Sequence, residues 1–109
     1  MPNHHVFQNN AALSLSSQPC LFPLGQVVAT PGVLTLLDRA GVNASDLLAR
    51  HQRGDWGDVC ASDAAENTHS IKAGNRLLSA YTLGGVKERI WIITEHDRSV
   101  TTLLLPEEY

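Results

Sequence analysis

Arg76-Leu77-Leu78-Ser79-Ala80-Tyr81-Thr82, the segment 86–95 centred on Ile90-Trp91-Ile92-Ile93, and the segment 99–105 ending at Pro106 form one run whose reading decides the fold. The first segment lies between Gly74-Asn75 and Leu83-Gly84-Gly85. A short glycine-containing connection between two β-rich runs signals a hairpin. In the second segment Ile90, Ile92 and Thr94 share one face, and Trp91, Ile93 and Glu95 share the other. Both faces are apolar at the centre, which predicts a middle strand covered on both sides. His96-Asp97-Arg98 forms the next turn, where an aspartate carboxylate can accept from backbone amides just ahead of it. The last segment alternates Val100, Thr102 and Leu104 against Thr101, Leu103 and Leu105. Pro106 ends it, because proline has no N–H to give to a ladder. The expectation is a three-stranded antiparallel meander with residues 86–95 in the middle.

Upstream of this run the spacing turns helical. Thr30 is a good N-cap and Pro31 suits the first helical position, where its missing N–H costs nothing. Val33, Leu36, Leu37 and Ala40 fall on one face, and Gly41 is a C-terminal stop. Asn43 or Ser45 caps a second helix, with Asp46 three residues after Asn43 as an approximate capping box. Leu47, Leu48 and His51 define its buried side, and Gly54 lies past its end. Cys60 or Ser62 caps a third helix, in which Ala64, Thr68 and Ile71 share a face and Lys72 meets the negative end of the dipole. The helices are expected over residues 31–40, 43–52 and 62–73. Gln26-Val27-Val28-Ala29 is short and β-rich, compatible with a fourth strand. The fold class is therefore α+β: three helices packed on a C-terminal antiparallel meander. The expected core includes Leu36, Leu37, Leu48, Ile71, Leu78, Ile90, Ile92 and Leu104. Residues 1–24 mix Asn, Gln, Ser and His without a sustained period. They read as a disordered or loosely docked tail ahead of a single domain, 25–109.

Composition sets the outer bounds. The chain has 109 residues, 43% hydrophobic and 17% charged, with a net charge of −3. That supports one small domain and disfavours nucleic acid as partner, since phosphate binding normally shows as a basic excess. No apolar run approaches the ~20 residues of a membrane span. The N-terminus lacks the basic start of a secretory signal, and two cysteines, Cys20 and Cys60, do not make a disulfide scaffold. A cytoplasmic protein with free thiols is expected.

Several segments together carry a resemblance. They are His51-Gln52-Arg53-Gly54-Asp55-Trp56-Gly57, Asp63 with Asn67, Arg76 to Tyr81, Ile93 to Thr102, and Leu105-Pro106-Glu107-Glu108-Tyr109. The chain from Leu24 to Tyr109 resembles a group of small uncharacterised bacterial proteins encoded on plasmids and integrated mobile elements. Ser62 departs from that pattern, standing where an acid is expected. The resemblance implies no activity, because none is established for the group.

The candidate chemistry gathers in two places. His51, Asp55 and Asp58 surround Trp56. A histidine with carboxylates can bind a metal or act as an acid–base pair. The blander reading has the aspartates capping the loop and His51 packing on the sheet, and it is favoured because buried polar groups usually hold structural hydrogen bonds. Trp56 can stack on a ligand or close one end of the core. Glu95, His96, Asp97 and Arg98 form the second place. They read as a solvated hairpin tip with an internal Asp–Arg pair. His4-His5 supplies too few ligands for a closed metal site. Cys60 with His51 or His69 makes only a minimal nucleophile–base pair, without a supporting motif. No metal and no cofactor is expected. The candidate binding residues are His51, Asp55, Trp56, Asp58, Glu95, Asp97 and Arg98, with Asp97 or Glu95 approaching Arg53 or the Trp56 loop.

Three functions stay open on this reading. The first is a non-catalytic binding or accessory protein of a mobile element, with another protein as partner. The second is an RNA-cleaving toxin of the RelE/ParE-like kind, whose fold the β-α-α-α-β-β-β order and the C-terminal sheet resemble. The third is a helix–turn–helix over residues 30–53. Its candidate recognition helix offers only Arg50 and Arg53, near its C-terminal end, where recognition helices rarely read bases.

Overall fold

The computed structural model describes residues 5–7, 20–84 and 87–109, with the backbone alone for residues 5–7. The fold is α+β. Strands β1 (His5–Phe7) and β2 (Gln26–Ala29) precede helices α1 (Pro31–Ala40), α2 (Ala44–Gln52) and α3 (Ala61–Ala73). Strands β3 (Leu77–Leu83), β4 (Glu88–Thr94) and β5 (Val100–Leu104) follow, and a 3-10 turn at Pro106–Glu108 ends the chain. The rest of the tail reading, residues 1–4 and 8–19, lies outside the described residues, as do Gly85 of the expected hairpin connection and Val86, the expected first residue of the second strand.

The meander is present, with β4 antiparallel to both β3 and β5. It is not the whole sheet. Strand β2 lies parallel against β5, and β1 lies antiparallel against β2, giving the order β1-β2-β5-β4-β3. The sheet is therefore mixed, and its middle strand is β5 rather than β4. A parallel neighbour needs a crossover, and α1, α2 and α3 supply it between β2 and the meander.

Register explains which residues are buried. Thr94, Ile92 and Ile90 pair with Leu77, Ser79 and Tyr81, and Ile92 and Thr94 also pair with Leu103 and Thr101. Val27 and Ala29 continue this face through Thr101 and Leu103. It packs against Val33, Leu36 and Leu37 of α1 and Leu47 and Leu48 of α2 to form the main core. Leu78 falls on the opposite face and is only partly buried, as is Ile71, so both leave the expected core list. Phe22 and Leu24 join the core, Leu24 at 2% exposure, although both fall in the segment read as a tail. Gly25 follows in a left-handed conformation (φ 66°), where a Cβ would collide with the carbonyls of Arg98 and Ser99. Close approach to the β4–β5 turn therefore requires glycine there.

Helix ends follow the sequence signals unevenly. The Thr30 hydroxyl accepts from the Val33 amide, and Gly41 closes α1 in the left-handed conformation. Asn43 and Cys60 hold the N-cap positions of α2 and α3 without a side-chain bond, so the capping box expected at Asn43 does not form. The C-terminal turn adds a cap that no local pattern announces. The Glu108 carboxylate accepts from the Thr30 hydroxyl (2.5 Å), the Gly32 amide (3.2 Å) and the Leu105 amide (2.9 Å). It thereby places a negative charge at the positive end of α1.

The outer edge of β3 is sealed without a strand. The Asn67 side-chain amide acts like a peptide group, donating to the Leu78 carbonyl (2.7 Å) and accepting from its N–H (3.1 Å). Next, the Trp56 carbonyl accepts from Ala80 and the Asp58 amide donates to it. The Asp58 carboxylate then takes the Thr82 amide (3.0 Å) and hydroxyl (2.5 Å). Gly57 (φ 75°) sits where a Cβ would strike the Ala80 carbonyl, so this approach also needs glycine. Such edges otherwise invite pairing with another chain.

The register predicts unequal costs at adjacent leucines. Leu77→Ala and Ile92→Ala should each lose roughly 2–5 kcal/mol of stability. Leu78→Ala should lose clearly less. Urea midpoints measure this, and equal losses at 77 and 78 would overturn the assignment of faces.

Candidate functional site

The described polar chemistry converges where α2 ends against the sheet. His51 is completely buried (0% exposure) in the last turn of α2. Its Nδ1 lies 2.6 Å from Ser79 Oγ on β3, and its Nε2 lies 2.9 Å from Thr94 Oγ1 on β4. Thr94 Oγ1 lies 2.7 Å from Thr101 Oγ1 on β5, which donates to the Leu24 carbonyl at 2.7 Å.

The direction of this chain is fixed by its end. A carbonyl only accepts, so Thr101 uses its one hydrogen on Leu24 and must accept from Thr94. Thr94 has then spent its hydrogen and must accept from His51 Nε2–H. The Nδ1 of a neutral imidazole is left as an acceptor, and Ser79 donates to it. His51 is thus held in one tautomer between four elements of structure. Burial, helped by the charge of Arg98, pushes its pKa down to about 3. Phe22 and Trp56 flank the ring edge-on at 5.1 and 5.7 Å, and they stack on each other at 6.2 Å.

A serine hydroxyl on an imidazole that is oriented from its other nitrogen has the layout of an activated nucleophile. Here Ser79 and His51 are both sealed from solvent. In this arrangement the chain serves as a structural bolt.

Trp56, 6% exposed, closes the end of the core. Neither aspartate beside it faces His51. Asp55 pairs with Arg50 at 2.7 Å and accepts from the Gly57 amide, and the Arg50 bond holds its carboxyl below the usual carboxylate range. Arg50 also lies over the Tyr81 ring at 4.4 Å. The Tyr81 hydroxyl donates to the Asp55 carbonyl (2.6 Å), and burial pushes its pKa up to about 12. Asp58 serves the β3 edge, and its hydrogen bond from Thr82 lowers its pKa.

The turn between β4 and β5 differs from its expected form. Asp97 accepts from the Ser99 hydroxyl and amide, as its position predicts, and the hydroxyl bond lowers its pKa. Arg98 does not pair with it. Its backbone takes the left-handed conformation (φ 59°), uncommon for a residue with a side chain. Its guanidinium reaches back to the end of α3, donating to the carbonyls of Ser70 (2.8 Å) and Asn75 (2.6 Å) as well as Glu95 (3.1 Å) and His96 (3.3 Å). It also lies 5.8 Å from the Phe22 ring. The Trp56 loop and this turn therefore meet through Phe22. The carboxylates of Asp97 and Asp58 are engaged elsewhere, with Ser99 and Thr82.

Sequence reasoning missed the roles of Ser79, Thr94, Thr101 and Asn67; Phe22 reads from the sequence only as a residue that can dock on the core edge. Thr94 carried a usable signal, as a hydroxyl in line with Ile90 and Ile92 on an apolar face must find a partner. Among the described residues no group of three or more His, Cys, Asp or Glu side chains is arranged to hold a metal.

Acid should weaken this protein through His51. The group binds a proton in the unfolded chain near pH 6.5 but in the folded chain only near pH 3. Between those values the unfolded state holds the extra proton, so stability falls as pH falls. From pH 7.5 to 4.5 the loss should be on the order of 2 kcal/mol, read from urea midpoints. His51→Leu should be less stable at pH 7.5 and should lose most of this pH dependence.

No protein-family model, curated protein or solved structure matches the chain.

Proposed function

We propose that this is a non-catalytic binding protein, an accessory protein of a bacterial mobile element, that engages a protein partner through the sheet face turned away from the main core. The supporting observation is an aromatic–arginine cluster on that face. Strand alternation puts Trp91 opposite Ile90 and Ile92, on the face it shares with Leu78, Ile93, Thr102 and Leu104. The Tyr109 ring meets Trp91 edge-on at 5.7 Å while staying 67% exposed. Arg76 lies over Tyr109 and donates to its hydroxyl at 2.5 Å. Trp, Tyr and Arg are the residues that most often dominate protein interfaces. By contrast, Trp56, His51 and Arg98 spend their chemistry inside the domain.

A second reading, an RNA-cleaving toxin of the RelE/ParE-like kind, takes support from the order β2-α1-α2-α3-β3-β4-β5. Strand alternation puts Arg89 on the same face as Trp91. The helix–turn–helix reading loses one of its two candidate base-reading side chains, because Arg50 is bound to Asp55 and Tyr81, which leaves Arg53 alone at the end of α2.

A photo-crosslinking residue at Tyr109, used in the native host, should trap one protein species that a crosslinker at exposed Thr35 on α1 does not. Trp91→Ala should cut that yield about tenfold, the effect of losing one interface anchor, while urea unfolding shows the variant still folded. Equal trapping at both positions would remove the Trp91–Tyr109 cluster from consideration. Cleavage of RNA by the purified chain, abolished by Arg89→Ala, would instead establish the toxin reading.

A further inference from the structure

Glu108 and Tyr109 are neighbours in sequence and serve opposite sides of the sheet. On the helix side, the Glu108 carboxylate accepts from Thr30 Oγ1 at 2.5 Å and from the Gly32 amide at 3.2 Å. On the other side, the Tyr109 ring meets Trp91 and its hydroxyl meets Arg76. One peptide bond joins these two residues, inside a turn that is tied to itself. The Leu105 amide donates to Glu108 Oε1 and the Glu108 amide donates to the Leu105 carbonyl, each at 2.9 Å. The Tyr109 amide donates to the Pro106 carbonyl at 3.2 Å.

The two ends of this turn are held unequally. Tyr109 is 67% exposed, and its aromatic contact is edge-on to one ring. Arg76, its other partner, is itself exposed. Glu108 has the firmer seat, as a charged acceptor with three donors at the positive end of α1. Gly32 makes room for that seat. A Cβ there would stand 2.5 Å from Glu108 Oε2 and 2.8 Å from its Cδ. Glycine is a poorer helix former than alanine, so α1 by itself gives no reason for it at this position.

We propose that residues 105–109 are a strap through which Glu108 positions the Tyr109 ring over Trp91, so that the start of α1 and the Trp91–Tyr109 cluster tighten and loosen together. Resting on the reading of that cluster as an interface, the strap adds the means by which the interface is held ready. An aromatic anchor already in place loses less freedom when a partner binds. Linkage works in both directions. A partner that holds Tyr109 also holds Glu108 on α1, and so tightens the start of a helix on the far side of the sheet. Glu108 is a positioning residue, and it needs no contact with the partner to act.

Gly32→Ala tests this without altering the strap. The added methyl displaces a flexible carboxylate, and alanine favours the helix. The NOE between the Trp91 and Tyr109 rings should fall severalfold in the Gly32→Ala chain and in a Glu108→Ala chain. Amide exchange at Ile92 should stay unchanged in both, showing the fold intact. The reverse direction is read at the Gly32 amide, which lies in the first turn and has no partner within α1. Tyr109→Ala should speed its exchange severalfold and leave the Leu36 amide as it was. A ring–ring NOE undiminished in either Gly32→Ala or Glu108→Ala overturns the proposal, because Trp91 and Arg76 then hold Tyr109 unaided. Unaltered Gly32 exchange in Tyr109→Ala overturns it as well. None of these measurements needs the partner. Loss of the NOE with no species trapped at Tyr109 would retire the interface reading and leave the strap standing. A species trapped equally well by the unaltered and Gly32→Ala chains would overturn the positioning role of Glu108.

Discussion

The His51 hydrogen-bond chain is the constraint on which the rest of the architecture depends. An imidazole with both nitrogens bonded leaves little freedom in how α2 sits on the sheet. One bond reaches β3, the other reaches β4, and the relay through Thr94 and Thr101 reaches β5 and the segment before β2. A slip of one residue in any of these strands would turn a hydroxyl to the wrong face and leave a buried nitrogen or oxygen unpaired. Apolar packing alone tolerates such shifts better, because one buried leucine substitutes for another. The polar chain adds specificity to a core whose bulk comes from Leu, Ile and Val.

Arg98 performs the matching task at the C-terminal end of α3. It adopts a backbone conformation that disfavours side chains, yet its guanidinium gathers four carbonyls, one of them in the last turn of the helix. The carbonyl end of a helix is a place where a cation is favourable. Strain in the turn is thus offset by bonds made outside it. Phe22 lies between this cation and Trp56, so an aromatic residue from the chain's early segment joins the two clusters that the sequence suggests are separate.

Local signals carried much of the fold. Thr30-Pro31 and Gly41 bound the first helix, and the alternation through Ile90, Ile92 and Thr94 marks the inward face of β4 correctly. Leu77-Leu78 is ambiguous because both residues are apolar, and parity is settled only by pairing with Thr94 and Ile93. The parallel alignment of β2 with β5 leaves no local mark, since a four-residue strand carries no record of its neighbour. The candidate site was legible as a set of residue types and not as contacts. His51 and Trp56 lie where a loop-end reading places them, but the hydrogen-bond partners of His51 come from strands 28 and 43 residues away. Asn67 standing in for a peptide group is visible only in three dimensions.

The pairing of β2 with β5 has a consequence for how the chain reaches this state. Leu24 waits for Thr101, 77 residues later, and Thr30 waits for Glu108, 78 residues later. Contacts so distant in sequence bring large loop closures into the folding barrier, and folding slows as such contacts come to dominate. The β3–β4–β5 meander can assemble from near neighbours, but β2 lacks β5, and the start of α1 lacks Glu108, until those later segments exist. During synthesis β2 can therefore pair with β1 only, and its edge toward β5 stays open. The time between making β2 and making β5 is the interval in which this protein is most open to pairing with the wrong chain.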